Sequence, residues 1–362
     1  MSRSLCKHWS RLVTPFRIAN CGERLQLTAF SSSTTSAEHD SPSRPGPPPI
    51  RVGFTESAGR GVFATRAIGA GDLIHTSKPF LCHPSPSCIH AVCYFCLREL
   101  RNSTNPVDAG ASFCSEECKE CSKEFYDVEM KANWMAFDAY CHDLISLPRT
   151  HGLKYPFLVK RLACMIISGV ASIDSLDILQ PASLTPEMIL ELEEGFALLR
   201  NALTKTLIAY EDIAFLSKQW YISVLARIRI NAFRVELARG LYEDLLSSAV
   251  ASVEAEASVG NAVYILPSFY NHDCDPNAHI IWIDNADAKL KALRNIEEGP
   301  FGFREINGYM MKFFFFCFFG HISGEELRIC YIDASMDRDA RQELLLGGFG
   351  FQCNCNRCSQ GD

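Results

Sequence analysis

The run Asn271-His272-Asp273-Cys274-Asp275-Pro276-Asn277 decides how this chain is read. It sets an amide, an imidazole and a thiol within four residues, inside a stretch, "AVYILPSFYNHDCDPNAHIIWID", that reads as short strands. Forward of it lie Gly324-Glu325-Glu326-Leu327 and Tyr331. The chain then closes on Phe349-Gly350-Phe351-Gln352-Cys353-Asn354-Cys355-Asn356-Arg357-Cys358. Cys353, Cys355 and Cys358 are three thiolates at metal-binding spacing, and a tetrahedral structural site needs a fourth. Backward of it, Cys93-x2-Cys96 with Cys114-x3-Cys118 makes a four-cysteine zinc knuckle.

Composition narrows the reading of those thiols. The 362 residues include 17 cysteines, and no long apolar run with a small-residue cleavage site opens the chain. Without a secretory signal, close cysteine pairs read as zinc ligands rather than disulfides, and secretion is not expected. With 35 Lys+Arg against 42 Asp+Glu, the net charge is −7. That excludes a general nucleic-acid binder and argues against sequence-specific nucleic-acid binding. A mildly acidic surface suits a basic protein or peptide substrate instead.

The chain divides by composition. Residues 1–49 hold Arg3, Lys7, Arg11, Arg17 and Arg24, a Ser/Thr cluster and a proline stretch. This reads as an organelle transit segment or an ordinary disordered tail. Residues 50–82, with Gly53, Gly59, Gly61, Gly69 and Gly71, read as short strands joined by glycine turns. Residues 83–124 are a cysteine-rich insert. From 125 to 260 apolar residues recur at helical spacing, with a helix start at Thr185-Pro186-Glu187. Strands return over 261–336, and 337–362 is the terminal cysteine segment. Within 300–324, "PFGFREINGYMMKFFFFCFFGHISG" fits nothing around it. Its apolar part is too short to span a membrane. It reads as a hairpin extension or as non-native coding such as a retained intron; six phenylalanines in seven residues favour the latter.

The NHDCDPN run, the later Gly-Glu-Glu-Leu and Tyr331, the terminal Cys-x-Cys-x2-Cys and the early Gly59-Arg60-Gly61 together resemble the SET domain of protein-lysine methyltransferases. The cysteine insert and helical middle are similar to the split-SET branch, that of SET-and-MYND proteins and plant trithorax-related SET proteins. The resemblance covers Arg51 to Cys358. It implies a mostly β fold with a helical insert: a SET β-clip core of small sheets with a pseudoknot at Asn271-His272, a zinc knuckle and a zinc-bound post-SET segment. It also implies S-adenosyl-L-methionine as methyl donor, two structural Zn2+ sites, and a histone tail as the default basic substrate. The compartment is then the nucleus, or a mitochondrion or plastid if residues 1–49 target one. The rival reading is a non-catalytic SET-like scaffold that recruits partners through its zinc knuckle.

Methyl transfer to an amine is an in-line displacement, so it rests on aligning a neutral amine with the donor. A narrow apolar channel disfavours the ammonium form, and oxygen dipoles orient the methyl group. By the resemblance, Tyr331 sits where cofactor and lysine meet, and Asn271 with His272 binds the cofactor. Gly59 and Gly61 let backbone approach it, and Arg60 offers charge to its carboxylate. Asn231 matches a cofactor-contacting asparagine, although an exposed helical position reads equally well. Ser268 adds a contact. Phe349 and Phe351, alternating about Gly350, point their rings the same way along the lysine channel, and Phe351 also touches the cofactor. Cys274 supplies the fourth thiolate to Cys353, Cys355 and Cys358. Cys93, Cys96, Cys114 and Cys118 resemble half of a MYND finger and hold one zinc. Cys82, Cys88 and Cys121 are read as unliganded, with Cys121 the first candidate for an exception.

Overall fold

The structure, a computed structural model, describes residues 46–55, 57–100, 111–146, 155–206, 208–238, 258–298 and 324–362. Of the N-terminal segment 1–49 and the anomalous insert 300–324, residues 1–45 and 300–323 lie outside the described residues.

Strands β1 (Ile50–Thr55) and β2 (Gly59–Ala64) pair as an antiparallel hairpin, with Gly53 opposite Gly61 and Phe54 opposite Arg60. The hairpin turns at Gly59, whose φ of +76° suits only glycine without strain. Strands β3 (Leu73–Ser77) and β4 (Leu81–Pro84) follow, then the cysteine insert. Helices α1 (Glu116–Lys131), α2 (Met135–Ser146), α3 (Pro156–Ile167), α4 (Pro186–Thr204) and α5 (Lys218–Asn231) form the middle. The starts of α1, α4 and α5 are fixed by capping hydroxyls: Ser115, Thr185 and Ser217 each accept from the N–H three residues on.

The helical periodicity ends earlier than its sequence suggests. After Asn231 the chain turns into strand β5 (Ala232–Glu236), although "RINAFRVELA" continues an apparent helical run. Phe233, Val235 and Leu237 alternate with Arg234 and Glu236, and this shorter period wins because β6 (Ser258–Val263) offers a ladder partner. Residues 239–257 lie outside the described residues. Beyond β6 come β7 (Asn271–His272), β8 (Ala278–Ile281), β9 (Ala288–Ala292), β10 (Glu326–Ile329) and helix α6 (Arg338–Phe349).

The strands form three small sheets, ordered β1-β2-β10-β7, β3-β9-β8 and β4-β6-β5. The first positions the site. Strand β10 is antiparallel to β2 and parallel to β7, with Arg328 opposite Asn271 and Ile329 opposite His272. A late strand is thereby inserted between the first hairpin and the NHDC segment. Gly324 precedes it at φ +121°, with Ala64 O only 2.0 Å from where a Cβ would stand, so no larger residue fits.

Two apolar cores result. One fills the helices around Phe137, Leu162, Leu199 and Ile228, and the other joins the sheets around Val62, Val235, Leu290 and Leu327. Between them sits a buried polar knot. Arg161 Nε donates to Glu129 Oε1 at 2.8 Å and Tyr94 Oη donates to Glu129 Oε2 at 2.8 Å, while Arg161 Nη1 donates to Cys82 O at 3.0 Å. Losing one partner of such a pair costs about 3–5 kcal/mol, because the other charge stays buried. This knot fastens the cysteine insert to α1, α3 and β4. Among the described residues no helix is long and apolar enough to cross a membrane.

Candidate active site

One cleft runs between the β1–β2 hairpin, the end of α5, the β7–β10 pair and the segment after α6. Gly59, Arg60, Asn231, Ser268, Asn271, His272, Tyr331, Phe349 and Phe351 all line it. Residues far apart in sequence therefore meet at one cavity.

Gly61 does not line it. A Cβ there would stand 2.7 Å from Glu326 Oε1 and 3.1 Å from Asn271 Nδ2. Its small size serves the packing beneath Asn271 rather than a direct approach to a ligand. Asn271 Nδ2 donates to Arg60 O at 3.0 Å and to Glu326 Oε1 at 2.7 Å, so both its donors are committed inward. Asn231 is buried, not on an exposed helical face. Its Nδ2 donates to Gln180 O at 2.9 Å and Arg227 O at 2.7 Å. Both amides thus turn donors into the protein and keep a carbonyl oxygen for another donor. Arg60 is less free than its sequence position suggests: it donates to Ile178 O and lies 4.8 Å over the Phe269 ring. Among the described residues neither contact is a carboxylate. Ser268 spends its proton on Tyr264 O, 2.6 Å away, within the turn that leads into β7.

The aromatic wall is built differently from the expected alternation. Phe349 ends α6, and Gly350 caps that helix at φ +81° with its N–H on Leu345 O and Leu346 O. A left-handed cap, not an extended strand, brings the rings together. Phe349 and Phe351 lie 5.0 and 6.4 Å from the Tyr331 ring and 6.5 Å from each other. Tyr331 Oη donates to Tyr270 O at 2.6 Å, and burial pushes its hydroxyl above the ordinary tyrosine range. It therefore stays protonated at neutral pH, with its oxygen lone pairs left over. Among Tyr331, Phe349 and Phe351 no group carries charge, which suits an amine that must enter neutral.

His272 is buried, and desolvation lowers its pKa to about 4. Its Nδ1 accepts the Tyr331 N–H at 3.1 Å and its Nε2 lies 3.3 Å from Cys274 Sγ. Both ring nitrogens are thus used within the protein, and only its backbone remains for a cofactor. Sequence reasoning passed over several supports: Tyr270, whose carbonyl holds Tyr331; Glu326, which holds Asn271; and Asn277. Asn277 Nδ2 donates to Glu326 O at 2.8 Å and its Oδ1 accepts from Arg328 N at 2.8 Å, stitching the NHDCDPN run to β10. Its place in that run was the available signal.

The cysteines gather in two sets of four. Cys274, Cys353, Cys355 and Cys358 form one, and Cys93, Cys96, Cys114 and Cys118 the other, with all sulfurs of a set within 4.8 Å of one another. Sulfur separations of 3.5 Å for Cys96–Cys114 and for Cys114–Cys118, and 3.6 Å for Cys274–Cys358, are near the ~3.8 Å that a tetrahedron with 2.3 Å Zn–S bonds requires. They are far too long for disulfides. At the C-terminal set a buried guanidinium faces sulfur: Arg341 places Nη2 3.7 Å from Cys358 Sγ and also donates to Met336 O and to Asp362 O at the chain's last residue. Both donor sets fit zinc, and Cys82, Cys88 and Cys121 belong to neither.

A late strand beside an Asn-His strand, an aromatic wall and a cysteine-clamped tail define a SET-type site, and the family model described as SET domain matches residues 59–300. The chain belongs to the SET-domain family. It is 55% identical over 350 residues to histone-lysine N-methyltransferase ATXR4 of Arabidopsis thaliana, covering 96% of this chain and 98% of that protein. A SET and MYND domain-containing protein of Dictyostelium discoideum is 24% identical over 79% of this chain and 77% of its own. Histone-lysine N-methyltransferase SMYD3 of Mus musculus is 32% identical over 29% of this chain and 18% of its own.

Proposed function

We infer that this chain is an S-adenosylmethionine-dependent protein-lysine N-methyltransferase, with Tyr331 as its catalytic residue. The observation that carries this reading is the convergence of Asn271, Asn231, Arg60 and Tyr331 on one cleft. Two amide oxygens suit an ammonium group and an arginine suits a carboxylate, which together describe the amino-acid end of the cofactor. When bound, the cofactor supplies a methyl group activated on a sulfonium.

The chain's own residues do the rest. Phe349 and Phe351 hold the lysine side chain in line and exclude water, so the amine enters unprotonated. Tyr331, fixed by its bond to Tyr270 O, presents its hydroxyl oxygen to the polarised methyl. Cys274, Cys353, Cys355 and Cys358 would hold a zinc that keeps Phe351 over the cleft, and Cys93, Cys96, Cys114 and Cys118 would hold a structural one, since four thiolates leave no open position.

ATXR4 is named for histone lysine, and histone lysine is the proposed substrate, acting in the nucleus. One observation favours a second, non-histone reading. The cleft wall carries Arg60, Arg229, Arg234, Arg294, Arg328 and Arg357 against Glu236, Asp275 and Asp333, so the chain's acidic balance is not concentrated there. The test is labelled S-adenosylmethionine with core histones and, separately, a lysine peptide library of graded charge. Methyl-lysine on either supports the reading. Tyr331→Phe should lower turnover about 10²–10³-fold with cofactor affinity nearly unchanged. Cofactor binding without transfer to any lysine in either set would establish the scaffold instead.

A further inference from the structure

We propose that His272 is a positioning residue that ties the C-terminal cysteine cluster to Tyr331. The inference rests on the reading of Tyr331 and of that cluster given above. A backbone N–H can donate only to a bare ring nitrogen, so the 3.1 Å contact from Tyr331 N leaves Nδ1 without a proton. The neutral ring then carries its proton on Nε2, and the group 3.3 Å from Nε2 is Cys274 Sγ. A metal-held thiolate is a good acceptor for that proton. The ring is buried and flanked by Tyr331 and Phe351, with centroids at 5.3 and 5.9 Å, so the protein holds it in place and water has little access to either bond.

One imidazole therefore spans two functions. Its Nε2–H steadies a sulfur of the cluster, and its Nδ1 fixes the backbone of the residue whose hydroxyl meets Tyr270 O. The parallel register of β7 and β10, with Asp273 N on Ile329 O at 3.0 Å, sets the ring at that spacing. Outer partners of this kind orient metal ligands, and their loss costs about 10–100-fold in metal affinity or activity.

Two half-mimics separate the bonds. The amide oxygen of Asn overlays Nδ1 and the amide nitrogen of Gln overlays Nε2. His272→Asn should lose zinc to a chromophoric chelator about 10–100-fold faster, with a proportionally smaller loss of turnover. His272→Gln should reverse this, holding zinc and losing turnover about 10–100-fold. In the unmodified, zinc-loaded full chain, ¹⁵N resonances of His272 should report the proton on Nε2. A proton on Nδ1, or variants that lose zinc and turnover in equal measure, would overturn the link. Should the parent chain prove inactive, the tautomer and zinc-release arms still decide this proposal. An Nε2–H ring with selective zinc loss in His272→Asn would then keep the link and discard the methyltransferase reading.

Discussion

The two cysteine clusters share a donor set and differ in what surrounds them. The C-terminal cluster lies under the cleft: Cys274 continues from His272, and the tail is pinned by Gln342, which donates to Cys353 O at 2.6 Å and accepts from Cys353 N at 2.9 Å. Phe351, on the aromatic wall, is two residues from Cys353. The knuckle lies against the cores instead. Leu97, just after Cys96, is fully buried at the unusual φ of +60°, and a Cβ on Gly260 would meet it at 2.8 Å. Cys96 O accepts from Ala286 N at 2.7 Å, and Tyr94 joins the Glu129–Arg161 pair. None of Cys93, Cys96, Cys114 and Cys118 lines the cleft. The same four-cysteine donor set thus lies beside the cleft at one place and against the two cores at the other.

The sharpest way to break this comparison is to remove one thiolate from each. Cys114→Ser should produce the largest loss of thermal stability, since structural zinc contributes free energy on the order of 10 kcal/mol to small folds. What remains folded should retain turnover per molecule. Cys355→Ser should leave most of the thermal transition in place and remove turnover, because only the tail over the cleft is released. Thermal unfolding and single-turnover rates, measured on both with zinc content, decide the matter. Equal stability losses with equal rate losses would erase the distinction.

How much of this was legible in the sequence follows the same division. At the C-terminal cluster the four cysteines sit in short, dense motifs, so grouping Cys274, Cys353, Cys355 and Cys358 was possible from spacing and resemblance, whereas Arg341 and Gln342, which hold them, carry no such signal. What spacing could not give was direction. Asn271 and Asn231 turn their amide donors inward, Gly61 serves packing rather than a ligand, and Phe349 arrives at the end of a helix. Each depends on a neighbour dozens of residues away. Around the knuckle the cysteines were legible and their attachments were not. Glu129 sits in the charged helix α1 and Arg161 in the largely buried α3, and neither helix alone shows that the two charges meet beneath Tyr94. Strand β5 was missed because its five-residue alternation is short beside the helical run before it, and only β6 reveals which period is used.

A smaller effect sharpens the comparison through pH. On the cleft side, His75 is buried in β3 with Nε2 3.0 Å from Tyr270 Oη, and desolvation lowers its pKa from 6.5 to about 4. The folded protein keeps this ring neutral while the unfolded chain takes up its proton below pH 6.5. Stability is therefore full above about 6.5 and falls as pH drops toward 4, by up to roughly 3 kcal/mol from this ring. In His75→Gln the dependence of unfolding free energy on pH across that window should be shallower by as much as one proton. An unchanged slope would mean that His75 takes up its proton alike in the folded and unfolded chain.

The smallest effect tests the tail alone. Gly350 stands at φ +81° with nothing within 4 Å of where a Cβ would go, so replacing it meets no clash and carries only the conformational cost of a left-handed residue. Gly350→Ala should cost about 1 kcal/mol, and Gly350→Asn less, because asparagine tolerates that conformation. Since Phe349 and Phe351 flank the cap, part of that cost should surface as a weaker grip on the lysine, a higher KM for protein substrate at an unchanged cofactor affinity. Calorimetry and steady-state rates on the two variants provide the check. If Ala and Asn are equally harmless to both, the left-handed cap does not set the aromatic wall. The tail's position would then depend on its zinc ligands alone.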